Sequence, residues 1–380
     1  MQSDSTKWLQ RIINFCSMGK NILVLAGDGI GPEVATEAVK VLRAVADVFG
    51  HTFHFAEALV GAAAIDATGS PLPPETIAVA EKSDAILFGA VGMPKYDQDP
   101  SAAVRPEQGL LQLRKHFDLF ANIRPIRLFQ PLLQASSLKS EILEGADIVF
   151  FRELVGGIYF GEPRGRNEAR DEAWDTMRYT KDAVRRIARM AFEAAMRRKK
   201  RLCSVDKANV LESSRLWREA VSEMAPTFPA VTVAHMFVDN AAMQLIKNPR
   251  QFDVVLTENM FGDILTDEAA QIAGSLGMLA SASLGPRMGL FEPIHGSAPD
   301  IAGQGVANPI ASILSAGMML EYACGLLEES YAIGRAVESV LEQGFRTHDI
   351  KDAATSEEKI VGTVTMGDLV ASQIQRISAF

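Results

Sequence analysis

Short apolar runs alternate along this chain with longer stretches in which apolar residues recur every three or four positions. NILVLA (21–26) has the length and composition of a buried strand, and the stretch after it sets Val34, Ala38, Val41, Leu42, Val45 and Phe49 on one helical face. DAILFGAVG (84–92), IVFFREL (148–154), LCSVDKANV (202–210), VTVAHMFVD (231–239) and FDVVLTEN (252–259) predict further strands, and each ends in glycine or polar residues. A helix with Val184, Ile187, Ala188, Ala191, Phe192 and Ala195 on its apolar face precedes the third of these. The alternation predicts an α/β protein. Ligands of parallel sheets gather at the carboxyl ends of strands, so the polar endings are where chemistry is sought. RGRNEARDEAWDT (164–176) reads as a polar loop. No repeat, low-complexity tract or Pro/Ser linker interrupts the pattern, which favours two domains sharing a continuous or intercalated sheet over separate beads.

At 380 residues the chain is too long for one simple core, and two domains are expected. Its apolar content of 48% and mean hydropathy of +0.07 describe a well-packed soluble protein. A net charge of −9 argues against nucleic acid as a partner. The densest basic run, Arg197-Arg198-Lys199-Lys200-Arg201, is explained by closing a helix, where cations favour the macrodipole. Cys16, Cys203 and Cys324 are odd in number and widely spaced, which suggests a reducing compartment without a disulfide frame. The histidines lack zinc-type spacing, and no apolar run is long enough to span a bilayer. A cytoplasmic protein without a membrane or nucleic-acid partner is expected. Residues 1–19 precede the first strand as an extension without a continuous signal-peptide core. Lys7 and Arg11 against the single acid Asp4 are weakly compatible with an organellar presequence. An upstream start or a disordered tail accounts for the segment better, with Met18 as a candidate start.

Gly27-Asp28-Gly29-Ile30-Gly31-Pro32 follows a strand and opens a helix, but it reads G-x-G-x-G-P rather than the dinucleotide fingerprint G-x-G-x-x-G. Phe49, Gly50 and His51 occupy the region where a ribose-binding acid would close the unit. A tight turn with Pro32 at the first helical position is the simpler reading. Asp263 and Asp267, in TENMFGDILTDEAA, are four apart and share a helix face. A bare pair there repels, and a hard divalent cation would relieve the repulsion; two solvated acids remain the alternative. Leu110 and Leu111 precede Arg114, and the i,i+4 relation of Leu110 to Arg114 puts an apolar wall beside a cation.

GDGIGPE, RPEQGLLQLRK, ANIRP, RELVGGIYFGEPRG, VDKANVL, HMFVDNAAMQL, TENMFGDILTDEAA and EPIHGSAPDIAGQGVANP occur in this order from about residue 20 to 320. Together they resemble the 3-isopropylmalate dehydrogenase family, β-decarboxylating dehydrogenases related to isocitrate dehydrogenase. The resemblance implies a two-domain α/β fold with a large mixed sheet, not a Rossmann fold. Residues 20–119 plus 274–380 would form the cofactor-side domain, with 120–273 inserted as the substrate and dimerisation domain. It implies oxidation of a 2-hydroxy acid by NAD⁺, loss of the adjacent carboxylate as CO₂ and protonation of the enolate. Arg114, Arg124 and Arg152 match the family's anion-binding arginines, and Lys207 and Tyr159 its base and acid. Asp239, Asp263 and Asp267 match its Mg²⁺ or Mn²⁺ ligands, with Asp239 also on the substrate side. His295, Gly296, Ser297, Ala298, Pro299, Asp300, Ile301 and Asn308 match its adenosine-binding segment. Glu292 would face the ribose or the metal, and Asn209 the nicotinamide. A carboxylate at Asp300 accepts hydrogen bonds from ribose hydroxyls and repels a 2′-phosphate, which favours NAD⁺ over NADP⁺.

The chain departs from the family pattern at Met93 and Tyr96 (usually glycine and tryptophan), Val155 (threonine), Thr266 (serine) and Ala280 (proline). None of these is a proposed acid, base, ligand or arginine. The Glu107-Gln108-Gly109-Leu110-Leu111 stretch discriminates substrates, because two leucines suit an isopropyl group and not a third carboxylate. Paralogues acting on isocitrate, homoisocitrate, D-malate or tartrate are the alternatives, and an inactive binding homologue is the remote one. The resemblance further implies a homodimer in which Lys207 and Asp239 reach the partner subunit's site, leaving a monomer inactive.

Overall fold

The computed structural model describes residues 19–98 and 102–377; the expectations for residues 1–18, Cys16 among them, lie outside the described residues. Twelve strands appear in chain order: β1 (Lys20–Gly27), β2 (Phe53–Glu57), β3 (Ala85–Ala90), β4 (Ala121–Arg127), β5 (Asp147–Glu153), β6 (Gly165–Arg166), β7 (Ala173–Trp174), β8 (Arg201–Asp206), β9 (Thr232–Phe237), β10 (Val254–Thr257), β11 (Ala280–Leu284) and β12 (Gly289–Pro293). The principal helices are α1 (Gly31–Phe49), α2 (Gly61–Thr68), α3 (Glu107–His116), α4 (Lys181–Arg197), α5 (Glu212–Met224), α6 (Val238–Lys247), α7 (Asn259–Ala273), α8 (Ile310–Tyr322), α9 (Leu327–Glu342) and α10 (Thr363–Ile377). Ten strands form one sheet in the order β2-β1-β3-β12-β11-β4-β5-β10-β8-β9. Parallel pairs and the antiparallel β4–β5 pair make it a mixed sheet. No helix of the described residues is long and apolar enough to cross a membrane.

Two compact units divide the chain. One comprises the described residues up to Leu113, Gly277–Ala282 and those from Arg287 onward; the other comprises Arg114–Leu276 with Ser283–Pro286. In the first unit β1 lies between β2 and β3, and Ile22, Leu23, Leu25, Ile86, Leu87 and Phe88 are fully buried. Helix α1 covers them with Val34, Ala38, Val41, Leu42 and Val45 of the face read from the sequence, while Phe49, at its last position, is half-buried. Burying each such aliphatic side chain contributes about 1.5–3 kcal/mol. In the second unit α4 starts at a Thr180 cap, whose hydroxyl accepts from the Ala183 amide at 3.2 Å. All six residues of its expected apolar face are buried.

Several elements differ from the sequence reading. The strand expected over 202–210 stops at Asp206, because the amides of Val210 and Leu211 both turn back to the Lys207 carbonyl. The strand expected over 231–239 stops at Phe237, and Asp239 lies in the first turn of α6. Asn259 opens α7 instead of ending a strand. The polar stretch 164–176 carries the β6–β7 ladder, which pairs Gly165 with Trp174. The basic run divides its work. Arg197 ends α4, Arg198 bonds Asp253 at 2.8 Å and pairs with Asp147 at 3.0 Å, and Arg201 opens β8. Burial of Asp253 demands a partner, and that demand outweighs the macrodipole reading. Cys203 and Cys324 are free and buried.

The Gly27–Pro32 turn is tight, as expected, although Pro32 is the second residue of α1 rather than the first. Gly27 has φ +73°, and a Cβ there would stand 2.0 Å from the Ala90 carbonyl oxygen. Replacing Gly27 by alanine therefore combines backbone strain with a collision against main chain. Gly27→Ala is expected to destabilise the protein by at least roughly 2 kcal/mol, measured as a lowered urea midpoint; an unchanged midpoint would contradict this packing.

Candidate active site

The strands of the second unit end in register. Thr257 on β10 pairs with Arg152 on β5 and with Val205 on β8, and Asp206 pairs with Phe237 on β9. Glu153 is the last residue of β5, and the residues that follow the ends of β10, β8 and β9 are Glu258, Lys207 and Val238. Parallel pairing thus delivers residues far apart in sequence to one sheet edge.

Arg152, only 2% exposed, anchors the first group. Its Nε and Nη2 donate to Asn259 Oδ1 at 3.1 and 2.8 Å, and its Nη1 donates to Asp263 Oδ1. Tyr159 Oη donates to Asp263 Oδ2 at 2.9 Å. Arg124 Nη2 lies 3.6 Å from Asp263, and Arg124 Nη1 lies 3.7 Å from Asp267. Arg124 Nη1 also donates to Thr266 Oγ1 at 2.5 Å, and its Nε to Asn122 Oδ1 at 2.6 Å. Burial alone would raise the Asp263 carboxyl. The charges of Arg152 and Arg124, the Tyr159 hydroxyl and Arg114 outweigh it and hold Asp263 below the usual carboxylate range. Burial raises Asp267 instead. Burial and then the Arg124 charge push Arg152 down to about 9, still charged at neutral pH. Burial and Asp263 hold the Tyr159 phenol above its ordinary value, so it keeps its proton.

Lys207 and Asp239 form the second group, with Nζ to Oδ1 at 2.6 Å. The Lys207 hydrogen bond holds Asp239 below its usual range. Asn209 lies exposed in the turn after Lys207. The three aspartates do not assemble within one chain. Among the described residues no three His, Cys, Asp or Glu side chains form a metal-holding group, and Asp239 pairs with Lys207 instead.

In the first unit, Asp28 accepts from the amides of Ala62, Ala63 and Gly92 at 2.8, 2.9 and 3.0 Å. The Ile30 amide donates to the Ser297 carbonyl at 2.8 Å, so the glycine-rich turn seats the 295–301 loop. Ala298 and Ile301 pack against Ile30, Val34 and Ala307. A Cβ at Gly92 would lie 3.0 Å from a Glu107 carboxylate oxygen and 3.4 Å from Ser297 Oγ, so Gly92, Glu107 and Ser297 are neighbours. Leu110 and Leu111 on α3 are half-buried, while Arg114 is buried. His295 Nδ1 faces the Gly296 carbonyl at 2.9 Å, and its buried Nε2 has no hydrogen-bond partner. Burial lowers its pKa. Gly296, Pro299 and Asp300 are exposed. Glu292 is buried near the end of β12. The Asn308 amide is occupied within the protein: Nδ2 donates to Asp349 at 3.0 Å, and Oδ1 accepts from the Ile310 amide at 3.0 Å.

The isocitrate/isopropylmalate dehydrogenase family model matches residues 21–370. The chain belongs to that family. It is 56% identical over 365 residues to 3-isopropylmalate dehydrogenase of Shouchella clausii, covering 95% of this chain and 99% of the relative. It is 57% identical over 364 residues to that of Halalkalibacterium halodurans, covering 94% and 98%. Among solved structures, isocitrate dehydrogenase from Methylococcus capsulatus has a TM-score of 0.83 at 32% identity, covering 94% of this chain and all of that one. A β-decarboxylating dehydrogenase from Thermococcus kodakarensis has 0.76 at 35%, covering 95% and 98%.

Sequence reasoning missed the family site's supporting residues. Asn259 orients Arg152 and donates to the Gly156 carbonyl at 3.0 Å. Asn122, whose Nδ2 donates to Ser283 Oγ at 3.0 Å, orients Arg124. Asn259 and Asp28 stood inside quoted motifs, and a polar residue inside a buried turn was the available signal. Glu258 stood in the same motif as Asn259 and was passed over. It is 1% exposed; Oε1 accepts from the Ser214 hydroxyl, and Oε2 is buried without a partner. Burial first, then Asp206, push its carboxyl up to about 7 against the Ser214 bond.

The folded state therefore keeps a proton that the unfolded chain releases above about pH 4.5. Stability from Glu258 is fully present below that pH and is lost as pH rises to about 7. Glu258→Gln mimics the neutral form. It should remove roughly 2–3 kcal/mol of the decline in unfolding free energy between pH 5 and 8. Urea titrations at both pH values check this, and equal declines in the two proteins would refute it.

Proposed function

We propose that this chain is a cytoplasmic, NAD-dependent 3-isopropylmalate dehydrogenase of leucine biosynthesis, which oxidises and decarboxylates 3-isopropylmalate to 4-methyl-2-oxopentanoate. The observation that carries the reading is the buried Arg152 and Arg124 pair converging with Tyr159 on Asp263, in a chain whose relatives at 53–57% identity bear that name.

The residues suit the groups the reaction needs. Asp263, held ionised, and the partly exposed Asp267 offer hard carboxylate oxygens, and with a second copy's Asp239 they would hold Mg²⁺ or Mn²⁺. His295 Nε2, buried and unpartnered, suits a hydrogen bond to the dinucleotide, with Asp300 toward its ribose. When bound, the metal supplies an electron sink for decarboxylation and NAD⁺ accepts the hydride. The protein's own residues do the rest. Arg114, Arg124 and Arg152 bind the two carboxylates and orient the diacid, with a planar fork suited to each. Glu107, Leu110 and Leu111 face its side chain. Lys207 takes the hydroxyl proton during oxidation. Tyr159, kept protonated, returns a proton to the enolate carbon.

Lys207 and Asp239 act in a second subunit's site, so the working form is a homodimer. Support comes from exposed apolar residues near them: Val210 (61%), Met243 (60%) and Ile246 (37%), with Ile264 (61%) on α7. Leucines in place of cationic or hydrogen-bonding groups on α3 favour 3-isopropylmalate over isocitrate, homoisocitrate, D-malate and tartrate.

A panel of 2-hydroxy diacids followed by NADH absorbance tests the reading. Turnover should need Mg²⁺ or Mn²⁺, cease in EDTA, and show the highest kcat/KM with 3-isopropylmalate. Full activity in chelator, or a preference for isocitrate or D-malate, would overturn it. Kinetics with both dinucleotides should favour NAD⁺ over NADP⁺, and Asp300→Asn should narrow that preference by at least about tenfold, since roughly 1.4 kcal/mol corresponds to that factor. An unchanged ratio would remove Asp300 from cofactor selection.

A further inference from the structure

Helix α5 holds no member of the Arg152 or Lys207 groups, yet three side chains on one of its faces reach the strands that carry them or the residue just beyond. Ser214 bonds Glu258, Trp217 Nε1 donates to Ser204 Oγ at 3.2 Å, and Arg218 reaches Asp206. Arg218 Nε and Nη2 donate to the two oxygens of Asp206 at 2.9 and 2.8 Å. Asp206 is fully buried and also accepts from the Ala208 amide at 2.9 Å. The same guanidinium lies over the Phe237 ring, 5.0 Å from its centroid. Asp206 immediately precedes Lys207, and Phe237 caps α6, whose first turn holds Asp239. One cation therefore grips the ends of β8 and β9 where the Lys207–Asp239 pair begins.

That pair does not hold itself. Its side chains are 27% and 61% exposed, and an ion pair in water contributes only about 0–1 kcal/mol against two flexible side chains. The geometry must come from the backbone beneath, and the Arg218 fork, itself 32% exposed, supplies a bidentate contact to a fully buried carboxylate, a contact of the stronger kind. We propose that Arg218 is a positioning residue for the reaction, fixing the backbone that aims Lys207 and Asp239. The inference rests on the reading of Lys207 as the proton-accepting base. Lysine cannot replace it, because an ammonium lacks both the fork and the flat face that stacks on Phe237.

The test compares the full-length protein with Arg218→Gln and Arg218→Lys. Each variant should lose about tenfold or more in kcat, with a smaller change in KM for NAD⁺, because of the residues matched to the dinucleotide only Asn209 shares this turn and the rest lie over 292–308. Trinitrobenzenesulfonate labelling, read by peptide mass spectrometry against Lys351 as an internal reference, should modify Lys207 at least about threefold faster in the variants, as its bond to Asp239 loosens. A general loss of stability would lower the folded fraction without this selectivity. Should Arg218→Gln fail to fold, Arg218→Lys, which keeps the charge, decides the matter. Unchanged kcat together with unchanged Lys207 labelling in the folded variant would overturn the proposal. If the unmodified protein forms no NADH from any diacid, the substrate reading falls and the labelling alone decides Arg218.

Discussion

A guanidinium almost without access to water must be satisfied from inside the protein, and Arg152 imposes that demand on the second unit. Asn259 takes two of its N–H groups and Asp263 a third. Those partners stand one helical turn apart on α7, so the helix must begin at Asn259 and run in one direction only. Breaking such a buried contact from one side costs about 3–5 kcal/mol. The interaction that positions Arg152, the candidate anion-binding arginine, therefore also positions the carboxylate of the candidate metal ligand. Tyr159 joins through the other oxygen of the same carboxylate. The proposed substrate anchor, proton donor and metal ligand share one set of hydrogen bonds.

The alternation of buried strands with amphipathic helices was legible in the sequence because apolar periodicity is a local property. The faces of α1 and α4 needed little more than spacing, and the motifs around Arg152, Lys207 and Asp263 marked the candidate site. Strand ends were not legible. Lys207, Asp239 and Asn259 looked like strand residues, and each lies just beyond one, because the stop is set by a turn or helix start that competes for the same amides. The β6–β7 ladder was hidden because a two-residue strand has no period. Nor could spacing reveal which carboxylates meet. Asp239 lies with Lys207 through the register of β8 and β9, a long-range pairing that no local pattern records. Glu258 was missed for the opposite reason, since an acid in the polar tail of an expected strand looks solvated and this one is almost wholly enclosed.

The first unit solves a different problem with the same means. Asp28 gathers three amides from two segments, and the neighbouring turn holds the Ser297 carbonyl. A motif that imitates a nucleotide fingerprint thus serves as a joint between loops. Its glycines are needed for close approach to main chain, as the contact of Gly27 with Ala90 requires. His295 to Ile301, matched to cofactor recognition, sit on the loop that this joint seats.

Thr266 illustrates how narrow the room for drift is. Its hydroxyl accepts from Arg124 and donates to the Gly262 carbonyl at 2.7 Å, while the residue is fully enclosed. The family's usual serine offers the same oxygen without the methyl group, so the two residues interchange along an evolutionary path. Valine, nearly identical in shape to threonine, would leave one of the Arg124 N–H groups facing a hydrocarbon. The position therefore tolerates a change of volume more readily than a loss of polarity, and the boundary is drawn by Arg124 on β4.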